Sequence, residues 1–148
     1  MLGKNCIKII FIIFFLLICA LNAAAQNVHV TVQVTNVTVN GGRVVGGIFL
    51  TADEFRRETP SIPFILESTA TTVSCVLSVP PGEYVVTAFQ DTNNNLQLDV
   101  GLFGIPREMV AVSNYNGRGS PLPSRDYNRQ KISINSSTPV ITIGLYRF

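Results

Sequence analysis

The chain has 148 residues, of which 47% are hydrophobic and 14% are charged. This length is enough for one domain with its own apolar core, without cross-links. The formal net charge of +2 is far from the strongly basic balance of nucleic-acid-binding domains, and no run of like charge exceeds Arg56-Arg57. We therefore expect neither a nucleic-acid partner nor a polybasic membrane patch.

The N-terminal residues have the layout of a secretory signal. Lys4 and Lys8 are followed by an apolar run at residues 9–21 and by an A-x-A cleavage pattern that ends before Gln26. We expect residues 1–25 to be a signal peptide that is removed. The mature protein would then be periplasmic, exposed on the outer surface or secreted.

Two alternatives to a cleaved signal are open. A retained anchor needs roughly 20 apolar residues to cross a bilayer, and the run here is shorter, at 13 residues. A lipoprotein site at Cys19 needs a small residue before it, where this chain has Ile18. We expect residues 26–148 to form a single domain without a membrane span.

Removal of the signal changes the charge and the cysteine count of the chain. Nine basic side chains then stand against nine acidic ones, so the mature chain is formally neutral. Cys75 is its only cysteine, which excludes an internal disulfide and a cysteine-rich metal site. Because no base partner for Cys75 is recognisable, we expect a buried apolar side chain rather than a nucleophile.

Alternating apolar and polar residues predict a series of short β-strands. In the first strand Val28, Val30, Val32 and Val34 define the buried face, which leaves His29 on the polar face. The predicted strands are residues 28–35, 43–50, 71–79, 84–90, 131–134 and 140–146.

Local signals add detail to these strands. Gly46-Gly47 inside the second strand predicts a bulge or a close backbone approach. Thr51 and the acidic residues after it predict a helix of one or two turns, which Pro60 and Pro63 end. The buried face of the third strand is predicted to contain Val73, Cys75, Leu77 and Val79.

These elements predict an all-β fold: an antiparallel β-sandwich of about seven strands, of immunoglobulin-like or prealbumin-like type, with one short helix. Residues 91–130 show no convincing periodicity, and such a long loop is usually functional or disordered. We expect an ordered loop, pinned to the sandwich by its apolar and aromatic residues: Leu98, Leu102, Phe103, Ile105, Met109, Tyr115 and Tyr127.

The start of this loop contains candidate ligands for a calcium ion. With Asp91 as position one, oxygen ligands fall at positions one, three, five, seven and nine: Asp91, Asn93, Asn95, the carbonyl of Gln97, and Asp99. An EF-hand would have Gly at position six and Glu at position twelve, where this chain has Leu96 and Leu102. We therefore expect only weak affinity, with Kd on the order of 10⁻⁴–10⁻³ M. The alternative is a turn in which Asp and Asn side chains bond to their own backbone and no ion binds.

A second set of loop residues is a candidate ligand-binding site for a glycan or a peptide. Aromatic rings with planar amide or guanidinium groups suit both kinds of ligand. The candidate residues are Phe103, Arg107, Glu108, Asn114, Tyr115 and Arg118. The alternative is that Arg107 and Glu108 form internal salt bridges that close the loop.

The strand and loop at residues 80–99, PPGEYVVTAFQDTNNNLQLD, resemble a secreted bacterial family known as domain-of-unknown-function family 2141. The segment GIPRE at residues 104–108 follows in the order typical of that family, as do Ser113-Asn114, Arg118-Gly119 and the prolines at 121 and 123. The resemblance covers essentially the whole mature chain and implies an extracytoplasmic β-sandwich without an established activity. Where the family usually has glycines in the acidic loop, this chain has Asn94 and Leu96.

Catalysis is not expected from these residues. No Ser, Cys or Thr has a recognisable base, and a carboxylate pair for glycoside hydrolysis, drawn from Glu83, Asp91, Asp99 and Glu108, is a weaker alternative. A small outer-membrane barrel is weaker still, because most predicted strands are shorter than the 9–11 residues it needs. We expect a non-catalytic binding module of the cell envelope; the alternative is a structural domain without a ligand.

Overall fold

The computed structural model describes residues 26–119 and 121–148. Their strands and helices are β1 (Val28–Thr35), β2 (Arg43–Phe49), α1 (Ala52–Arg57), β3 (Ile62–Glu67), β4 (Thr72–Val79), β5 (Gly82–Asp91), β6 (Val110–Val112), α2 (Tyr127–Gln130), β7 (Ile132–Ile134) and β8 (Val140–Gly144). The predicted signal peptide and the alternative site at Cys19 lie outside the described residues. Within the described residues no helix has the length and apolar character needed to cross a bilayer.

The strands form two sheets, which confirms the predicted all-β sandwich. The smaller sheet has the order β4-β1-β8, and the larger has the order β3-β2-β5-β6, with β7 also paired to β5. One pairing differs from the prediction, since β1 and β8 run parallel. They are not joined by a hairpin, so no short turn forces them to be antiparallel.

The core between the sheets follows from the predicted alternation. Val30, Val32 and Val34 of β1 are fully buried, and His29, which precedes Val30, is exposed. The predicted face of β4 also packs on this core; Cys75 belongs to it and is only partly buried. Burial raises the pKa of the Cys75 thiol, which keeps it in its unreactive protonated form at neutral pH.

Two strands and one helix were not predicted. In β3, Pro63 was interpreted as the end of the preceding helix, but it lies in an edge strand, where a residue without an N–H is tolerated. The strand β6 has three residues, all buried, and therefore shows no alternation. The helix α2 has four residues, too few to produce a helical period.

The outer face of the larger sheet carries a second apolar cluster. Phe49 and Val85 point away from the sheet–sheet core and are covered by Phe55 of α1 and Tyr127 of α2. The rings of Phe49 and Phe55 meet edge to face at 5.5 Å. The predicted close approach at Gly46 is confirmed, since a side chain there would collide with the ring of Phe64.

The strands β6 and β7 lie one after the other along the same edge of β5. The chain therefore leaves this edge twice, and the predicted single loop of residues 91–130 is in fact two segments. We call residues 92–109 the β5–β6 loop and residues 113–131 the β6–β7 segment. The first lies at the Asp91 end of β5 and the second near its Gly82 end.

Candidate functional site

Asp91 organises the start of the β5–β6 loop. Its carboxylate is fully buried at the end of β5. One oxygen accepts a hydrogen bond from the Asn95 N–H at 3.1 Å, and the other accepts one from the Leu96 N–H at 2.8 Å. Hydrogen bonds between a carboxylate and backbone N–H groups are stronger than neutral ones, so Asp91 stabilises the turn.

Glu108 closes the same loop from its far end, and its side chain is only 3% exposed. One carboxylate oxygen accepts from the N–H and the hydroxyl of Thr92, at 2.8 and 3.1 Å, and the other accepts from the Asp99 N–H at 3.2 Å. The alternative in which Arg107 and Glu108 close the loop is right for Glu108, but the salt bridges it assumed are wrong. Among the described residues Arg107 is in no ion pair, and backbone groups instead satisfy Glu108.

The remaining candidate calcium ligands also bond to one another. The amide N–H groups of Asn93 and Asn95 donate to the Asp99 carboxylate at 2.7 and 3.3 Å. The amide oxygens of the two asparagines accept from the N–H groups of Asn95 and Gln97. This is the pattern of the ion-free turn. In the described part of the chain no three His, Cys, Asp or Glu side chains lie together in a way that could hold a metal ion, and calcium binding by this loop stays a prediction.

The backbone of this turn adopts left-handed angles at two residues. Asn94 has φ 58° and Leu96 has φ 62°. Asn tolerates this region, whereas for Leu it costs about 1–2 kcal/mol. The strain at Leu96 is offset by the hydrogen bond from its N–H to Asp91.

Beyond the turn, residues 99–107 form a small hairpin, which we call the tip hairpin. The Arg107 N–H donates to the Asp99 carbonyl at 2.9 Å, and the Gly101 N–H donates to the Ile105 carbonyl at 2.7 Å. A single turn of 3-10 helix, Leu102–Gly104, forms its end. Because these bonds are made within the hairpin, its backbone is ordered before any partner arrives.

The tip hairpin exposes apolar side chains instead of burying them. Leu102 is 81% exposed and Phe103 is 96% exposed, and Val100 and Ile105 beside them are also exposed. The prediction that Leu102, Phe103 and Ile105 pin the loop to the sandwich is therefore wrong. That role belongs to the other predicted anchors, which pack on the two apolar clusters: Leu98, Met109, Tyr115 and Tyr127.

Phe103 combines this exposure with an unfavourable backbone. It has φ 62° and ψ 17°, the left-handed region that glycine and asparagine adopt most easily. Because the side chain is almost wholly in solvent, burial within the domain does not repay the strain. Strained residues of this kind cluster at functional sites.

Guanidinium groups lie beside the tip. The Nε of Arg107 is 3.4 Å from the point where a Cβ on Gly101 would be, and an Nη of Arg125 is 3.8 Å from the equivalent point at Gly104. An Nη of Arg147 donates to the Arg107 carbonyl at 3.4 Å. Two arginines, Arg107 and Arg125, thus lie against the glycines that flank Leu102 and Phe103. The third, Arg147, contacts the Arg107 carbonyl at the base of the hairpin.

The remaining predicted ligand-binding residues are not gathered around Phe103. The Asn114 side chain stabilises the β6–β7 segment, since its amide donates to the Lys131 carbonyl at 2.7 Å. Tyr115 packs edge to face on Tyr146 at 5.5 Å. Arg118 is exposed in the β6–β7 segment.

The four carboxylates named for glycoside hydrolysis do not form one group. Glu83 lies at the start of β5 and pairs with Lys131 at 2.6 Å. Asp91 is at the other end of the same strand, about 26 Å away at the usual rise per residue. Asp99 and Glu108 lie at the Asp91 end, where both accept hydrogen bonds from loop N–H groups.

The β6–β7 segment is fastened by a tyrosine. The hydroxyl of Tyr127 lies within hydrogen-bond distance of the carbonyls of Glu83, Leu50 and Phe49, at 2.9, 3.1 and 3.4 Å. Burial raises the pKa of Tyr127, and the neighbouring Tyr84 and acidic side chains raise it further. The hydroxyl therefore stays protonated and able to donate at neutral pH.

A shallow polar cleft next to the acidic turn was not predicted from the sequence. It has a volume of about 310 Å³ and is lined by Asn40, Gly42, Arg43, Glu67, Ser68, Thr69 and Asn94. The residues come from three separate turns, so no local motif marks the cleft. Its one ion pair, Arg43 with Glu67 at 3.3 Å, is exposed.

Comparison with known proteins gives one match. Residues 32–141 match the family model DUF2141, described as an uncharacterized protein conserved in bacteria. No curated protein and no solved structure shows a significant match. The matched range includes the β5–β6 loop, the tip hairpin and the β6–β7 segment.

Proposed function

This chain belongs to the DUF2141 family, and we propose that it is a non-catalytic binding module of the cell envelope that holds its partner with the tip hairpin. The location in the envelope depends on the predicted signal peptide. The binding role depends on the exposed apolar end of the hairpin.

The proposal rests on the backbone conformation and the solvent exposure of Phe103. The left-handed backbone at Phe103, with φ 62°, costs about 1–2 kcal/mol, and its side chain contacts almost nothing that would offset this cost. Folding of this domain therefore gives no reason for a phenylalanine at this position. An aromatic side chain that stabilises nothing within its own domain is suited to burial against a partner.

The hairpin backbone supports the same proposal. The end of the hairpin is closed by hydrogen bonds, and its base is fixed by Glu108 through the Asp99 N–H. Binding therefore requires little further ordering of the backbone, and such preorganisation raises affinity by lowering the entropic cost of association.

Glycans and peptides are the partners predicted from the sequence. Aromatic faces stack on sugar rings, and guanidinium groups bind carboxylates, phosphates and backbone carbonyls. Phe103 and Arg107 supply these two groups on one hairpin. Asn114 and Tyr115 have structural contacts of their own and are not part of the proposed surface.

The test compares variants of the purified protein on glycan and peptide arrays. Phe103→Ser removes the aromatic side chain, and Val76→Ser is the matched control, since Val76 is exposed on β4 in the smaller sheet. We expect capture to be lost in the first variant and retained in the second, with melting temperatures close to that of the native protein. Unchanged capture in Phe103→Ser would contradict binding through the tip hairpin.

A further inference from the structure

The tip hairpin is convex, and this shape restricts what it can bind. Leu102 and Phe103 protrude together from the end of the hairpin, so neither side chain lines a cavity. Small ligands and sugars are usually held in concave sites that bury most of their surface. Two adjacent protruding apolar side chains instead need an apolar phase that they can enter.

Guanidinium groups lie against the two glycines that flank Leu102 and Phe103. Arg107, Arg125 and Arg147 are in none of the ion pairs within the described residues. The acidic groups of the same loop are occupied, because Glu108 is buried on backbone N–H groups and Asp99 accepts from two asparagine amides. An anionic partner therefore meets unpaired guanidinium groups around the tip.

The interface of an anionic bilayer provides an apolar region for Leu102 and Phe103 and negatively charged headgroups for the arginines. Apolar side chains enter the boundary between headgroups and acyl chains, about 5–10 Å deep, while Arg side chains bind the phosphates above it. Each basic side chain near such a surface adds attraction that salt weakens. The positions of Arg107 and Arg125, against the glycines that flank the two apolar residues, match this layering.

We infer that the partner of the tip hairpin is the surface of an anionic lipid bilayer, with Leu102 and Phe103 inserted and the three arginines on the headgroups. This inference rests on the proposed binding role of the hairpin and names its partner. With two inserted side chains and three cations, the association is weak and reversible, in contrast to a membrane-spanning anchor.

The absence of tryptophan from the sequence gives a direct reporter. Phe103→Trp introduces a single indole at the tip, and Val76→Trp places one on β4 as the control. We expect phosphatidylcholine vesicles containing phosphatidylglycerol to shift the emission of the first variant to shorter wavelength and to leave the second unchanged. No shift in either variant overturns the inference.

Cosedimentation with the same vesicles separates the contribution of the inserted apolar side chains from that of the arginines. Leu102→Ser with Phe103→Ser should lower the partition coefficient by roughly 10- to 100-fold. Arg107→Gln with Arg125→Gln should lower it roughly fivefold per arginine, and only when the anionic lipid is present. Arg57→Gln, at an exposed arginine of α1 outside the ion pairs of the described residues, should change nothing. An equal loss in all variants would overturn the inference.

The array and vesicle experiments together distinguish the two proposals. Capture of a glycan or peptide through Phe103, without vesicle binding, overturns the lipid inference and leaves the binding module intact. Vesicle binding that depends on Phe103 supports both. If neither experiment depends on Phe103, both proposals are wrong.

Discussion

The two segments that leave the edge of β5 are held by different chemistry. The β5–β6 loop is fastened by two buried carboxylates that bind four backbone N–H groups, whereas the β6–β7 segment is fastened by aromatic packing and the Tyr127 hydroxyl. The second segment uses its large side chains to stay in place. The first is ordered mainly by polar bonds, so the apolar residues at its tip are free to contact a partner.

The largest expected effect is in the β5–β6 loop, which the two buried carboxylates fasten. Glu108→Ala removes the buried carboxylate that accepts from the N–H groups of Thr92 and Asp99, and we expect a loss of about 3 kcal/mol in the free energy of unfolding. Glu108→Gln keeps one acceptor oxygen and should lose about half as much. Urea unfolding measures both changes.

Hydrogen exchange then shows whether the effect of Glu108→Ala is local. Protection should fall at Asp99 and Arg107 in the β5–β6 loop and stay unchanged at Lys131, whose N–H is bonded within the β6–β7 segment. Equal loss of protection in both segments would mean that they are not fastened independently.

The matching change in the second segment is Tyr127→Phe. It removes the hydroxyl that reaches the Glu83 and Leu50 carbonyls, and we expect a loss of about 1–1.5 kcal/mol. Exchange protection should now fall in the β6–β7 segment and remain in the β5–β6 loop.

The same variant has a pH signature. The folded pKa of Tyr127 is raised, so its contribution to stability is fully present below the unfolded value of about 10 and is lost as the pH rises towards the folded value. We expect the native protein to lose stability more steeply above pH 10 than Tyr127→Phe does, in denaturant melts across that range. Parallel curves would show that Tyr127 does not titrate as described.

A smaller effect, of opposite sign, is expected at Leu96. Leu96→Gly relieves left-handed strain of about 1–2 kcal/mol and loses about 0.5–1 kcal/mol through the greater freedom of glycine in the unfolded chain. We expect a net gain of about 0.5–1 kcal/mol in thermal unfolding. Ile105→Gly is the control, because Ile105 has φ −76° and should only lose stability. A destabilised Leu96→Gly would show that the turn is not strained.

The smallest expected effect is that of calcium. A site with Kd on the order of 10⁻⁴–10⁻³ M would raise the free energy of unfolding by about 1.4–2.7 kcal/mol in roughly 10 mM calcium. Because the amide N–H groups of Asn93 and Asn95 already occupy Asp99, an ion would have to displace them, and we expect a rise in melting temperature smaller than this range implies. Equal melting temperatures in calcium and in chelator would contradict the calcium site. A rise of several degrees would establish the calcium site.

The sequence predicted the parts of the fold that depend on local patterns. The valines of β1 and the apolar face of β4 pack on the core as predicted, some of them only partly buried, because the pleat of a strand places alternate residues on one face. The helix after Thr51 is present for a similarly local reason, since the Thr51 hydroxyl accepts from the Glu54 N–H. The family was also recognisable, from the acidic loop and the GIPRE segment.

The candidate site was predicted only in part. The polar residues of the acidic loop were named, but Glu108 was assigned to a ligand or to Arg107, because its true partners, Thr92 and Asp99, lie 16 and 9 residues away. Likewise, no run of like charge in the sequence indicated that three arginines lie near the tip hairpin. Arg107, Arg125 and Arg147 come from separate segments and meet only after folding.

By itself the sequence determined which residues alternate, where short turns begin and which family the chain belongs to, since each depends on residues close together in the chain. The tertiary structure alone decided that β6 and β7 share one edge of β5, that two buried carboxylates fasten one loop, and that Leu102 and Phe103 face solvent. Such outcomes depend on contacts between distant segments. An apolar residue in an irregular loop has the same local pattern whether it is buried or exposed.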